Sequence, residues 1–257
     1  MSAATRNLAP VLRGAIVAAG LGAVWWAVTV VFALPPFILP SPPRVAAALW
    51  NGRAVLAWHG AITLVEILLG LACGVALGAG LALAMAASRT VERWTMPLVI
   101  VSQAIPVFAL APLLVLWFGF GLASKVIMAS LVIFFPVAAT FHDGLRRVDP
   151  GLVDLARTMG ASPAAELRHI RLMAALPAFG AGLRVAAAVA PIGAVIGEWV
   201  GAAGGLGYLM LNANARLQTD TCFAALAILA AMAIVLWTAV DRLLARLLHW
   251  VPDTRTR

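Results

Sequence analysis

Few residues in this 257-residue chain have both the type and the setting to do chemistry. Its two cysteines, Cys73 and Cys222, form neither a disulfide framework nor a metal-ligand spacing, and its four histidines are scattered. No hydrolytic constellation is present. Nor is there a G-x-x-x-x-G-K-[ST] phosphate loop, since the glycines at 201–207 lack the following lysine and the strand-to-helix setting. The chain is therefore not expected to hydrolyse a nucleotide. What remains is a small set of polar residues interrupting apolar sequence, and one ordered polar loop.

The interrupting residues are Gln103, Arg184 and Glu198, with Glu66 and Asp241 nearer the ends of apolar runs. Ionisable groups at membrane depth are costly and mark pathways or anchors. Glu198 ends an apolar run and is followed at once by Trp199 and a glycine-rich segment. It reads as a functional acid at the end of a span or as a solvated end residue. Arg184 lies fourteen positions earlier, about 21 Å along one helix, so the two cannot pair on a straight helix. It reads as an inter-helix anchor ahead of a solute ligand. Gln103, close to Pro106, either lines a path or bonds to a neighbouring backbone. Glu66 and Asp241 are placed for plain solvation.

The ordered loop is DPGLVDLARTMGASPAAELRHIRLM, residues 149–173. Leu152, Leu155, Ala156 and Met159 share one helical face. Gly160 suits the left-handed residue that ends a helix. Ser162 then suits an N-cap, with Pro163 at the first helical position. Leu167, Ile170 and Met173 continue an apolar stripe. Such a helix–turn–helix either docks a partner or packs on its own helix ends. Asp154 and Arg157 would then give register to a partner, or form a solvated pair at i, i+3.

The elements that must position these groups follow from composition. Hydrophobic residues make up 63% and charged residues 11%, with mean hydropathy +1.01. Soluble domains average about 45–50% and about 25%. A soluble, disordered or disulfide-stapled fold is excluded. A spanning helix needs about 20 mainly apolar residues. Six runs qualify: 14–34, 60–87, 97–118, 124–142, 174–198 and 221–246. The first is too long for a signal peptide, and Leu34, Pro35 and Pro36 offer no small-residue cleavage site. Gly70, Gly74, Gly78 and Ala82 recur every four residues, a close-packing face between helices. Trp25, Trp26, Trp50, Trp58, Trp94 and Trp117 suit interfacial belts.

Three connections stand out. Prolines 35, 36, 40, 42 and 43 stop any helix across the segment 35–59, of which 44–58 can lie as an interfacial helix. Residues 199–220 form an external loop or a re-entrant piece. The third is the loop at 143–173. Thirteen arginines flank one side of the six spans, and four basic residues (Arg44, Arg53, Lys125 and Arg216) flank the other. The richer side is expected to be cytoplasmic, with both termini there. The basic residues form no nucleic-acid patch.

The loop resembles the E-A-A, three residues, Gly, nine residues, Ile, one residue, Leu-Pro pattern of permease subunits of binding-protein-dependent ABC importers. Here it reads Asp154-Leu155-Ala156, then Gly160, then Ile170, Arg171 and Leu172. Asp replaces Glu, Leu takes the second place, and Met173 replaces the final proline. The run from Ile105 to Lys125 is similar to the third-span segment of the nitrate/sulfonate/taurine branch. Phe135-Pro136, Val148-Asp149-Pro150, Gly182-Leu183-Arg184 and Gly205-Leu206-Gly207-Tyr208 follow in matching order. The resemblance covers about 40–250. The stretch from Ala190 to Asp220 looks most like a sub-branch linked to thiamine-precursor pyrimidines, with riboflavin importers nearby.

The resemblance implies an all-α polytopic membrane protein of about six transmembrane helices, the type I ABC importer permease fold. Residues 1–59 would hold the tail, first helix and external segment, and 60–250 the permease domain. It implies a multi-pass inner-membrane subunit that works as a homodimer in lipid, with a cytoplasmic ATPase and a solute-binding protein. ATP and magnesium would be used by that ATPase, and no cofactor by this chain. Asp154, Leu155, Ala156, Arg157, Met159 and Gly160 would form the coupling helix. Gln103, Arg184 and Glu198 would be path or gate candidates. An ion-gradient-driven transporter is the alternative, and it would favour broken mid-membrane helices and an internal repeat.

Overall fold

The computed structural model describes residues 3–251. Side chains of several residues before Ile16, and that of Gln103, lie outside the described set. Every regular element among the described residues is helical. In order these are α1 (Ala3–Val31), α2 (Pro42–Asn51), α3 (Arg53–Ala87), α4 (Arg89–Ala104), α5 (Val107–Phe118) and α6 (Leu122–Arg146). There follow α7 (Pro150–Thr158), α8 (Pro163–Glu166), a π-helical turn (Leu167–Arg171), α9 (Leu172–Trp199), α10 (Leu206–Ala215) and α11 (Thr219–Leu247).

Among the described residues, four helical runs are each long and apolar enough to cross a membrane: Arg53–Ala87, Leu122–Arg146, Pro163–Trp199 and Thr219–Leu247. The pair Arg89–Ser102 and Val107–Phe118 makes a fifth crossing if the two are one span, bent by 102°. Ile16–Val31 is a shorter apolar helix. Of the six expected spans, four fall on helices of spanning length, the first falls on the shorter apolar helix Ile16–Val31, and the third is corrected. The third run, expected as one helix over 97–118, is broken. Pro106 has no N–H to donate and disfavours helical backbone before it. Ile105 accordingly sits at φ −82°, ψ 118°, in extended geometry. The interfacial helix is also shorter than expected, ending at Asn51, and α3 starts at Arg53.

The chain forms two compact units, one of 1–58 with 209–228, the other of 59–208 with 229–257. In the first, Trp25 stacks on Phe223 at 5.7 Å and Thr219 Oγ1 donates to the Phe37 carbonyl at 2.9 Å.

The second unit has a core of small residues. Ile67, Ala129, Ile133, Val137, Ala186, Ala190 and Ala194 bring α3, α6 and α9 together. The glycine stripe of α3 faces α6. A Cβ on Gly78 would stand 2.8 Å from the Phe134 carbonyl oxygen, and one on Gly74 2.8 Å from Ile133. With no hydrophobic drive between helices in lipid, this close approach is what dispersion and packing act through. Gly193 meets Ala129 on the α9 side in the same way.

Candidate functional site

The loop that caps the second unit is built as its residues dictate. Asp149 Oδ1 accepts from the Gly151 N–H at 2.8 Å and Pro150 opens α7. At its end the Gly160 N–H reaches the Arg157 carbonyl at 3.0 Å, and the Ala161 N–H reaches that of Ala156 at 2.9 Å. Those two bonds are a Schellman closure, and Gly160 carries the positive φ, +80°, that it requires. Ser162 Oγ then accepts from the Ala165 N–H at 3.3 Å, with Pro163 at the first helical position.

Of the coupling candidates, Ala156 is buried along with Val153, whereas Asp154 and Arg157 are exposed. Leu155 and Met159 are 57% and 79% exposed. An apolar pair is thus presented outward on a helix closed at both ends. Arg157 has an internal partner: its Nε donates to Glu166 Oε2 at 3.0 Å. Arg171 Nε donates to Glu166 Oε1 at 2.7 Å. One nearly buried carboxylate therefore clamps α7 to the helix that leads into α9. The i, i+3 pair of Arg157 with Asp154 is replaced by this clamp. Glu166 lay in the sequence as one more loop acid, and nothing in its spacing marked it.

The second polar centre is buried between α3, α6 and the end of α9. Glu198 is 1% exposed. It accepts from Thr63 Oγ1 at 2.6 Å, from the Gly207 N–H, and from the Tyr208 N–H at 3.3 Å. Thr63 Oγ1 in turn accepts from the Leu206 N–H at 2.7 Å, and His59 Nδ1 from the Gly205 N–H at 3.0 Å. Three side chains thereby take up the amides that open α10, which would otherwise be orphaned. The glycines follow from this geometry. Gly205 sits at φ +109°, and a Cβ there or on Gly207 would run into the Glu198 carboxylate.

Glu66 and Lys125 lie beside this centre. Glu66 is fully buried, and Lys125 Nζ stands 3.5 Å from its Oε1. Plain solvation of Glu66 is thus overturned, because its helix face points into the bundle. Lys125 is not an interfacial flank either, since Gly197 leaves room for it to pass within the core. Asp241 also has a partner: Arg184 Nε donates to its Oδ1 at 2.6 Å, tying α9 to α11. Arg184 and Glu198 stay apart, as a straight helix requires. Gln103 lies in α4. Among the described residues no group of three His, Cys, Asp or Glu could hold a metal ion.

Residues 74–251 match the family described as binding-protein-dependent transport system inner membrane component. The chain belongs to this family. Relatives within it include taurine and sulfonate transport permeases, the branch that its motifs resemble. A probable ABC transporter permease protein of Haemophilus influenzae is 50% identical over 223 residues, covering 87% of this chain and 91% of that protein. The formylaminopyrimidine transport permease protein ThiX of Halalkalibacterium halodurans is 36% identical over 228 residues, covering 88% and 91%. The crystal structure of an amino acid ABC transporter with histidines superposes with TM-score 0.60 at 21% identity, over 80% of this permease and 98% of that chain. The fold is that of type I ABC importer permeases. The permease is a membrane transport component, and ATP hydrolysis belongs to a separate subunit.

Proposed function

We propose that this permease forms the translocation pathway of an ATP-driven importer, as a homodimer, for a heterocyclic solute of the pyrimidine type handed over by an external binding protein. Permeases of this family work with ATPase and binding-protein subunits. The observation that carries the reading is α7, with Leu155 and Met159 turned outward and Arg157 locked to Glu166. An exposed apolar pair on a clamped helix supports a socket–peg contact with the ATPase. Force applied at α7 then passes through Glu166 to Arg171, whose hydrogen bond braces the π-helical turn that leads into α9. Nucleotide-driven closure needs such a stiff link to bias two states of the bundle.

At the other end of α9, Glu198 gathers the start of α10 and Thr63 of α3. This supports a gate element moved by the same helix. With Lys125 taken into the core, the split of flanking basic residues is thirteen to three, and it supports a cytoplasmic α7 and cytoplasmic termini. Residues 1–59 then add the first span and external segment to a permease domain over 60–250.

The solute class rests on the similarity to ThiX and on the sequence from Ala190 to Asp220. Ligand binding by the partner binding protein tests it, with pyrimidines, riboflavin, sulfonates and nitrate compared. Tightest binding of a pyrimidine is the expected result, and tightest binding of a sulfonate or nitrate refutes the solute assignment.

A further inference from the structure

A cavity opens in the second unit between α4, the end of α6 and the loop around Pro163. Five arginines line it: Arg89, Arg93, Arg146, Arg157 and Arg171. Only two acids, Glu92 and Glu166, line it with them. Glu166 is taken by Arg157 and Arg171, and Glu92 Oε1 accepts from Arg146 at 2.9 Å. Arg89 and Arg93 are exposed and have no ion pair among the described residues. They stand at i, i+4 on one face of α4.

That face continues as Met96, Pro97 and Ile100, all lining the same cavity. A pair of guanidinium groups thus sits at the end of an apolar wall on a membrane helix. At the floor lies His142, 1% exposed, with neither ring nitrogen in a hydrogen bond. Its Nε2 is 3.5 Å from Glu92 Oε1. The imidazole thus faces the Glu92 carboxylate without closing a hydrogen bond to it, which leaves a polar ring in the lining beside the arginines.

The geometry points to this cavity as a binding site for the phosphate headgroup of an anionic phospholipid, with the acyl chains along Met96, Pro97 and Ile100. Basic pockets between membrane helices on the cytoplasmic side take such headgroups, and guanidinium groups match phosphate oxygens two at a time. The apolar wall favours a lipid over a free anion, which would leave that wall bare. The inference rests on the cytoplasmic placement of α7, but binding is measured on the detergent-solubilised chain, where sidedness plays no part. A failure of lipid binding and a failure of orientation are therefore separable.

The test starts from the full chain in vesicles of equal phosphatidylcholine and phosphatidylglycerol. The chain is extracted in mild detergent, and retained lipid is identified by mass spectrometry. Phosphatidylglycerol should be enriched about tenfold over phosphatidylcholine. Arg89→Gln with Arg93→Gln should bring the two near parity, and Arg89→Lys with Arg93→Lys should keep most of the preference. Arg242→Gln with Arg246→Gln removes the same charge at the end of α11 and should leave the enrichment intact. Melting in phosphatidylcholine alone checks folding, and Arg93→Gln alone replaces the double variant if that one is unfolded. Equal retention of both lipids by the unaltered chain overturns the site. So does equal loss in both glutamine pairs, or full displacement of the lipid by inorganic phosphate at equal concentration.

Discussion

Thr63 and Glu198 are 135 residues apart in sequence, and their side chains are joined by a 2.6 Å hydrogen bond with no access to water. Thr63 accepts from the Leu206 N–H while donating to the carboxylate, so one hydroxyl ties α3, the end of α9 and the start of α10. Glu198 is thus the centre of a knot rather than the tip of a span.

That burial sharpens what a conservative change does. Glu198→Gln keeps the shape but puts an NH2 or a weaker acceptor against the Gly207 and Tyr208 amides. Hydrogen bonds to charged groups are worth about 1.5–3 kcal/mol each. The variant should be less stable by about 2 kcal/mol, read as a lower melting temperature, and show reduced binding-protein-stimulated uptake, or raised ATP hydrolysis without solute, at unchanged expression. Unaltered melting and an unaltered ratio of stimulated to basal ATPase activity would leave Glu198 without a role.

Lys125→Met should be more damaging than Lys125→Met combined with Glu66→Gln. The single change strands a buried carboxylate, at a cost of about 3–5 kcal/mol, whereas removing both charges is far milder. Thermal melting in detergent of the two singles and the double forms the cycle. Additive losses would show that the 3.5 Å pair carries no coupling.

The glycines of α3 divide by what they face. Gly78→Ala places a Cβ 2.8 Å from the Phe134 carbonyl oxygen, while Gly80 has nothing within 4 Å. The first should cost about 1–3 kcal/mol through overpacking. Gly80→Ala should be neutral or stabilising by up to about 1 kcal/mol, as alanine favours helix. Equal melting shifts in the two variants would contradict the α3–α6 contact.

Orientation is read by labelling. Single cysteines at 147 and 212, in a chain with Cys73 and Cys222 replaced, should react with an impermeant reagent from opposite sides, 147 from the cytoplasm. Labelling of both from outside would overturn the span count between them.

The sequence exposed what depends on near neighbours and hid what depends on distant ones. Gly160, Ser162 and Pro163 act within a few positions, so the helix–turn–helix was legible, down to the residue with positive φ. The stripe Gly70, Gly74, Gly78 was legible because helical periodicity is local. Glu66 was not, because its partner Lys125 lies on another helix, and helix–helix packing rather than local spacing brings them together. The break at Ile105 was masked by an apolar run whose hydropathy says nothing of backbone direction, although Pro106 was in plain view. Arg157 was correctly placed on the loop, but its partner Glu166 lies across the Gly160 turn, beyond any helical spacing.

If α7 transmits ATP hydrolysis to this permease, its exposed apolar pair is indispensable to transport. Leu155→Asp with Met159→Asp alters only side chains that are exposed, so the fold should persist with an unchanged melting temperature. The decisive measurement is solute uptake into proteoliposomes holding the permease, its ATPase and the loaded binding protein, read together with ATPase co-purification. The double variant should lose uptake at least tenfold and should no longer retain the ATPase. Uptake at the unaltered rate, with the ATPase still bound, would show that α7 does not couple the ATPase to transport.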